Sequence, residues 1–222
     1  MITIGFSTKV LNDDYKNHLI KSCGIYKPEI LHIENNGKYS LTEVYNKLLD
    51  KATNDIVVLC HDDIYFDTID WGRRLLKHFD KTDYGIIGVA GSTDLSENGV
   101  WWDDKSKMYG IVNHEQNGKK WTSKYSEDLR NKITPSCVVD GVFISLSKSR
   151  IRERFDEEIK GFHFYDIDFS ISNSIKGVKI GVLYNIRLTH KSIGMTNDDW
   201  EYNRKFFVNK RSDILPYKIN LQ

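Results

Sequence analysis

Val57-Val58-Leu59-Cys60-His61-Asp62-Asp63-Ile64 contains an apolar run that stops abruptly at a polar triplet. Four apolar residues in a row, two of them β-branched, predict a strand buried on both faces, as in a parallel sheet. Open α/β sheets place their ligands at the carboxyl ends of such strands, and His61, Asp62 and Asp63 fall there. Adjacent carboxylates repel, so they call for water, a cation or a base nearby. The same triplet also reads as a polar turn in which Asp62 or Asp63 caps the next helix.

Working outward, residues 2–6 form a first predicted strand ending at Ser7-Thr8-Lys9. These three either contact a nucleotide or form a plain polar loop. Residues 12–23 read as helix with Gly24 as its stop. Residues 30–33 make a second strand, followed by Glu34-Asn35-Asn36-Gly37, a turn. Ser40-Leu41-Thr42-Glu43 is a capping box, and Leu41, Val44, Tyr45, Leu48, Leu49 and Ala52 then recur at helical spacing. This helix leads straight into 57–60. Strand–helix alternation of this kind predicts a mainly parallel central sheet flanked by helices. Ser7, Thr8, Asn35 and Asp63 should then gather at one rim of it.

Beyond the triplet, Ile69, Leu75, Leu76 and Phe79 mark a helix and 84–90 a strand. Residues 91–137 show no periodicity and read as an irregular, aromatic-rich insertion, packed as a satellite cluster or a short hairpin. Residues 138–146 read as a strand interrupted by Asp140-Gly141, where a glycine permits a bulge or a ligand's close approach. Asp166 and Asp168 suit a helix start. Residues 179–184 are a last strand before His190, and the tail from 196 docks as a helix. One domain over 1–222 is expected, with 1–90 a nucleotide-binding half and 138–195 an acceptor half.

Composition narrows the function. Of 222 residues, 40% are apolar, enough for a core, and the formal net charge of +1 offers no field for nucleic acid or an anionic membrane. Cys23, Cys60 and Cys137 are widely spaced without a CxxC pair, which suits a reducing cytoplasm. No apolar run approaches the ~20 residues of a membrane span, and residues 1–7 are not a signal peptide. Peripheral membrane attachment stays compatible with this.

The order of polar strand ends is more telling than any one of them. A buried strand ending in an acidic triplet, a strand bearing Asp-Gly, an aromatic-Asp-x-Asp helix start and a strand followed by His resemble the glycosyltransferase family 2-like proteins of the GT-A fold. The resemblance runs from residue 2 to about 190. It implies a single GT-A-like (Rossmann-like) domain that moves a sugar from a nucleotide-diphosphate donor to a glycan or lipid-linked acceptor. It further implies inversion, metal dependence and a part in bacterial surface polysaccharide synthesis. His61-Asp62-Asp63 looks like the family's Asp-x-Asp motif, with Asp63 in the metal-ligating place and His61 where the first Asp stands, facing either the metal or the ribose. Tyr165-Asp166-Ile167-Asp168 looks like the Glu-Asp-x-Asp motif, which makes Asp166 the general base and brings Asp168 to the substrate. Asp140-Gly141 matches a segment bordering the sugar and acceptor pockets. His190 stands where a histidine completes the metal site in some relatives. Carboxylate donors favour Mg²⁺ or Mn²⁺, and an imidazole tips the choice toward Mn²⁺.

Two rival functions share these residues. His61-Asp62 is also the core dipeptide of HD-type metal-dependent phosphohydrolases, which carry it on helices. A non-catalytic nucleotide-sugar-binding module would keep the fold without turnover.

Overall fold

The computed structural model describes residues 1–126, 133–192 and 194–219. Positions 127–132 of the expected insertion and 220–222 of the tail lie outside the described residues. In chain order the elements are β1 (Ile2–Thr8), α1 (Asp13–Cys23), β2 (Glu29–Glu34), α2 (Leu41–Lys51), β3 (Ile56–Cys60), β4 (Ile64–Phe66), α3 (Trp71–Lys81), β5 (Ile86–Gly88), β6 (Ala90–Ser92) and β7 (Asp94–Leu95). They continue with β8 (Met108–Gln116), β9 (Lys119–Lys124), β10 (Ile133–Ser136), β11 (Val138–Val139), β12 (Phe143–Ser147), α4 (Tyr165–Ser174), β13 (Ile180–Leu183), β14 (Leu188–His190), α5 (Asp198–Lys210) and β15 (Tyr217–Lys218).

The first half follows its sequence signals closely. Asn12 caps α1 by accepting from the Tyr15 N–H, and Gly24 closes that helix in the left-handed region at φ 73°. Ser40 and Glu43 form the reciprocal capping box of α2. Both helices are right for parallel crossovers, and β1 pairs in parallel with β2 on one side and β3 on the other. Ile69 falls outside its expected helix, which begins at Trp71, and is exposed.

The central sheet is mixed, not mainly parallel. Among the described residues its order is β10-β13-β5-β12-β3-β1-β2, with β12 antiparallel to both β3 and β5, and β10 antiparallel to β13. The reason is local. Phe143 opens β12 beside Cys60, the last residue of β3, so β12 starts at the rim where β3 ends and must run back. A parallel strand there would need a crossover of a dozen or more residues.

Two runs that read as single strands are each divided between two sheets. Residues 84–90 become β5 in the central sheet and β6 in a second one, and 138–146 become β11 and β12 in the same way. The second sheet, β11-β6-β8-β14-β4 with β9 paired to β8, is built largely from the segment expected to be irregular. The β8–β9 hairpin leaves β9 largely exposed on both faces, which removes the inside–outside alternation that announces a strand. Apolar clusters flank the central sheet: Tyr15, Leu19, Trp71 and Phe79 of α1 and α3 belong to one, and Tyr45, Leu48 and Phe169 of α2 and α4 to the other.

Candidate active site

Strand register assembles the site. β3 ends at Cys60, and the 61–63 triplet turns the chain into β4 of the second sheet. β14 pairs with β4 so that His190 lies opposite Ile64, and the Lys191 N–H donates to the Asp63 carbonyl at 3.0 Å. His190 thus reaches Asp63 because two strands are in register. On the other side the 140–142 turn between β11 and β12 meets the same rim, where the His61 N–H donates to the Val142 carbonyl at 3.4 Å. Tyr15 of α1 donates its hydroxyl to the His61 carbonyl at 2.7 Å and pins the triplet from below.

One ligating atom each from His61, Asp63 and His190 lies within 4.8 Å of the others. His190 Nε2 is 3.2 Å from Asp63 Oδ1, 3.4 Å from His61 Nδ1 and 3.0 Å from Ser192 Oγ. Asp63 Oδ1 is buried yet makes no well-formed hydrogen bond. Burial opposes its charge, but the neighbouring His190 and Ser192 hold its carboxyl at about 2, so it is an anion at neutral pH. Burial, then His190, pushes the His61 pKa below its usual value, leaving a neutral imidazole with a lone pair. Two imidazoles and a carboxylate with an oxygen to spare fit a divalent cation. Tyr165 sets the ring's direction: its hydroxyl meets His61 Nε2 at 2.9 Å, which turns Nδ1 toward His190.

Asp166 sits at the second position of α4. That helix is started by Phe164 in the left-handed region at φ 64° with no side-chain cap, a strained arrangement that tertiary packing must hold. The Gly141 N–H donates to Asp166 Oδ2 at 2.7 Å. Gly141 must be glycine, since a Cβ there would lie 2.0 Å from the Tyr165 hydroxyl. Burial and then the charge of Asp140 raise the Asp166 carboxyl to about 7, although the Gly141 amide opposes this.

Two cavities adjoin along this rim. The first, about 390 Å³, is lined by Ser7, Thr8, Lys9, Asn35, Asp62 and Asp63, so the expected gathering at strand ends occurs. The second, about 210 Å³, is lined by Asp140, Gly141 and Asp166. His61 borders both. Asn35 spends its amide on its own loop, donating to the Tyr39 carbonyl at 2.9 Å and accepting from the Tyr39 N–H at 3.0 Å, so it shapes the cavity wall. Asp168 is not brought to either cavity. It is 1% exposed and faces α5, where Arg211 Nε donates to its Oδ1 at 2.8 Å. The reason is helical geometry: two residues on from Asp166 is nearly the opposite face of α4. Sequence reasoning passed over Tyr165 as a partner of His61, and Trp102 and Trp200 as cavity walls. A tryptophan pair at 101 and 102 in a polar segment was the signal available for Trp102, and a lone tryptophan among charged residues for Trp200.

A mixed sheet between helices, with a small second sheet closing a His–Asp rim at the strand ends, is a GT-A-like architecture. GalNAc-T7, solved with UDP, GalNAc and Mn²⁺, superposes with a TM-score of 0.58 at 9% identity, covering 94% of this chain and 47% of that one. The mannosyltransferase PcManGT of Pyrobaculum calidifontis, in complex with GDP-Man and Mn²⁺, gives 0.58 at 10% identity, with coverage of 99% and 65%. S. aureus TarS 1-349 gives 0.58 at 11%, with coverage of 100% and 66%. The chain therefore spans about half to two-thirds of the length of these proteins. Curated protein sequences return no match. A sequence profile matches residues 13–211, and the chain belongs to the glycosyltransferase like family. His61-Asp62 follows a strand, unlike the helical setting that HD-type phosphohydrolases give this dipeptide.

Proposed function

We propose that this chain transfers a sugar from a nucleotide-diphosphate donor to an acceptor hydroxyl, inverting the anomeric carbon, with a divalent cation at His61, Asp63 and His190. The observation that carries this is the pair of adjoining cavities: one holds the carboxylate and imidazole donors, the other a carboxylate with a pKa of about 7, and His61 lies at their junction. GalNAc-T7 with UDP and PcManGT with GDP-Man, each with Mn²⁺, support the same assignment.

The residues divide the work. Ser7, Thr8, Lys9 and Asp62 line the donor cavity, and Asn35 holds the loop that walls it. A cation there supplies Lewis-acid stabilisation of charge on the departing diphosphate. Tyr165 keeps His61 Nδ1 directed at the ligand cluster. Asp166, oriented by the Gly141 amide, takes the proton of the acceptor hydroxyl. A carboxylate with a pKa near 7 is a stronger base than an ordinary one, while a useful share of it stays unprotonated at neutral pH. Attack assisted from the acceptor cavity, on the face away from the leaving group, inverts the centre. The acceptor is a glycan or lipid-linked sugar destined for a surface polysaccharide. The compartment we assign is the cytoplasm, because the three thiols are free and buried. Among the described residues no helix is long and apolar enough to cross a membrane.

Thermal melts of the full chain with UDP or GDP, each with and without Mn²⁺ or Mg²⁺, test the reading. Cation-dependent stabilisation is expected, and Asp63→Ala abolishes it, judged against that variant's own free melt, which should lie below wild type because a carboxyl held at about 2 stabilises the fold at neutral pH. Stabilisation by the nucleotide that ignores both cation and Asp63 contradicts the assignment.

A further inference from the structure

The lining of the cavity that holds Asp140 and Asp166 includes aromatic rings from three separate parts of the chain: Trp101 and Trp102 before β8, Phe164 before α4, and Trp200 in the first turn of α5. Trp101 and Phe164 are 4% and 2% exposed, whereas Trp102 is 38% exposed. The buried rings brace the accessible ones. Trp101 stands edge-on to Trp102 with centroids 5.5 Å apart at 84°, and Phe164 backs Trp200 at 5.3 Å. Trp102 and Trp200 are 5.9 Å apart with planes 38° from one another. Trp200 is fixed further by Asn197, whose side chain accepts its backbone N–H at 2.9 Å. Indole left accessible in a cleft forfeits the ~25 cal/mol per Å² that burial would return, so braced, accessible tryptophans mark a surface that a ligand covers.

The chemistry of the wall selects the ligand. Asp140 and Asp166 repel a phosphate, so a second nucleotide is disfavoured. An alkyl chain would strip water from both carboxylates and return nothing beyond the Val142 and Gly141 amides from which they already accept. A pyranose ring satisfies both halves, since it has a flat face of C–H bonds for indole and a rim of hydroxyls for carboxylates. The volume, about 210 Å³, is below the ~300–1,000 Å³ typical of pockets for larger ligands and suits a single ring.

We infer that this cavity receives the terminal pyranose of a carbohydrate acceptor, its C–H face against Trp102 and Trp200 and one hydroxyl at Asp166. The inference builds on the transfer proposed above and adds which face of the acceptor sugar is held and the tryptophans that select it. In the step, the acceptor oxygen forms the new bond to the donor's anomeric carbon. The bond from that carbon to phosphate oxygen breaks, its electron pair leaves with the nucleoside diphosphate, and the hydroxyl proton passes to Asp166.

Saturation-transfer NMR on the full chain tests this with methyl glucoside, galactoside, mannoside and N-acetylglucosaminide as probes. Each is run in the presence of UDP or GDP with Mg²⁺. At least one pyranoside should bind alongside the nucleotide. Trp102→Ala and Trp102→Leu should weaken it about tenfold, the ~1.4 kcal/mol of a lost aromatic contact. Trp102→Phe should retain most of the binding, and all three should keep wild-type nucleotide affinity, which also reports that they are folded. Nucleotide binding with no pyranoside bound overturns the inference, as does a Leu variant that binds like wild type. Pyranoside binding without any nucleoside diphosphate binding instead overturns the donor assignment, and the ring could then no longer be an acceptor's.

Discussion

Asp166 is a carboxyl that burial and the neighbouring Asp140 hold at about 7, and this has opposite consequences for activity and for stability. A base works only when unprotonated, so the transfer rate should rise with pH up to about 7 and level off above it. Asp140→Asn removes the like charge and should shift that rise to lower pH. Asp166→Asn keeps size and most hydrogen bonding but no basicity, so the rate should fall by roughly 10²–10⁴-fold while donor affinity survives. Stability moves the other way. A carboxyl whose folded pKa lies above its unfolded value of about 3.9 binds a proton more tightly when folded, so stability is lost as pH rises from there to about 7. A tenfold change in proton affinity corresponds to about 1.4 kcal/mol. Asp166→Asn should therefore melt higher than wild type at pH 8 and little differently at pH 4. Near-normal transfer in that variant would return Asp166 to a purely structural part in α4. The sequence alone offered Asp166 as cap or base. What the sequence could not show is the setting that raises its carboxyl, because the 140–142 turn reaches α4 through a tertiary contact across 25 residues.

At the scale of elements, α4 and α5 are joined by a nearly buried ion pair. Arg211 donates to Asp168 Oδ1 through Nε at 2.8 Å and Nη2 at 2.7 Å, and to Ser172 Oγ at 2.6 Å. Removing one partner strands the other's charge, so Arg211→Ala should cost ~3 kcal/mol in urea unfolding. The double change Asp168→Leu with Arg211→Met should recover most of it, since a buried pair is often no better than apolar packing. A double variant as unstable as the single one would mean that the pair does more than satisfy itself. Local signals such as the Ser40–Glu43 box were legible because both partners lie within one helical turn. Asp168 and Arg211 are 43 positions apart, and nothing in either one's neighbourhood names the other. The division of 84–90 into β5 and β6 was hidden for a related reason. Gly88 marks it, because a Cβ there would press on Val139 at 2.6 Å, but the apolar run continues through Val89 without a break.

At the scale of the molecule, the first 60 residues were readable because each parallel strand is delivered by a crossover helix with its own start and stop signals. From β5 to β12 the chain passes between sheets with no α-helix among the described residues, so direction and partner are set by register instead of local pattern. The site inherits this plan: β3 and β12 meet head to tail at Cys60 and Phe143, the turn after β3 borders both cavities through His61, and the turn before β12 borders the smaller one. Because the two cavities adjoin and share a wall of His61, Phe162, His163, Gly194 and Met195, the proposed enzyme has room for two reactants side by side. Its steady-state kinetics should accordingly be those of a ternary complex. Double-reciprocal plots against donor, taken at several acceptor concentrations, should intersect to the left of the axis. Parallel lines, the mark of a covalent glycosyl-enzyme formed before the acceptor arrives, would overturn the direct displacement we propose, in which nucleophile, anomeric carbon and departing diphosphate stand in one row.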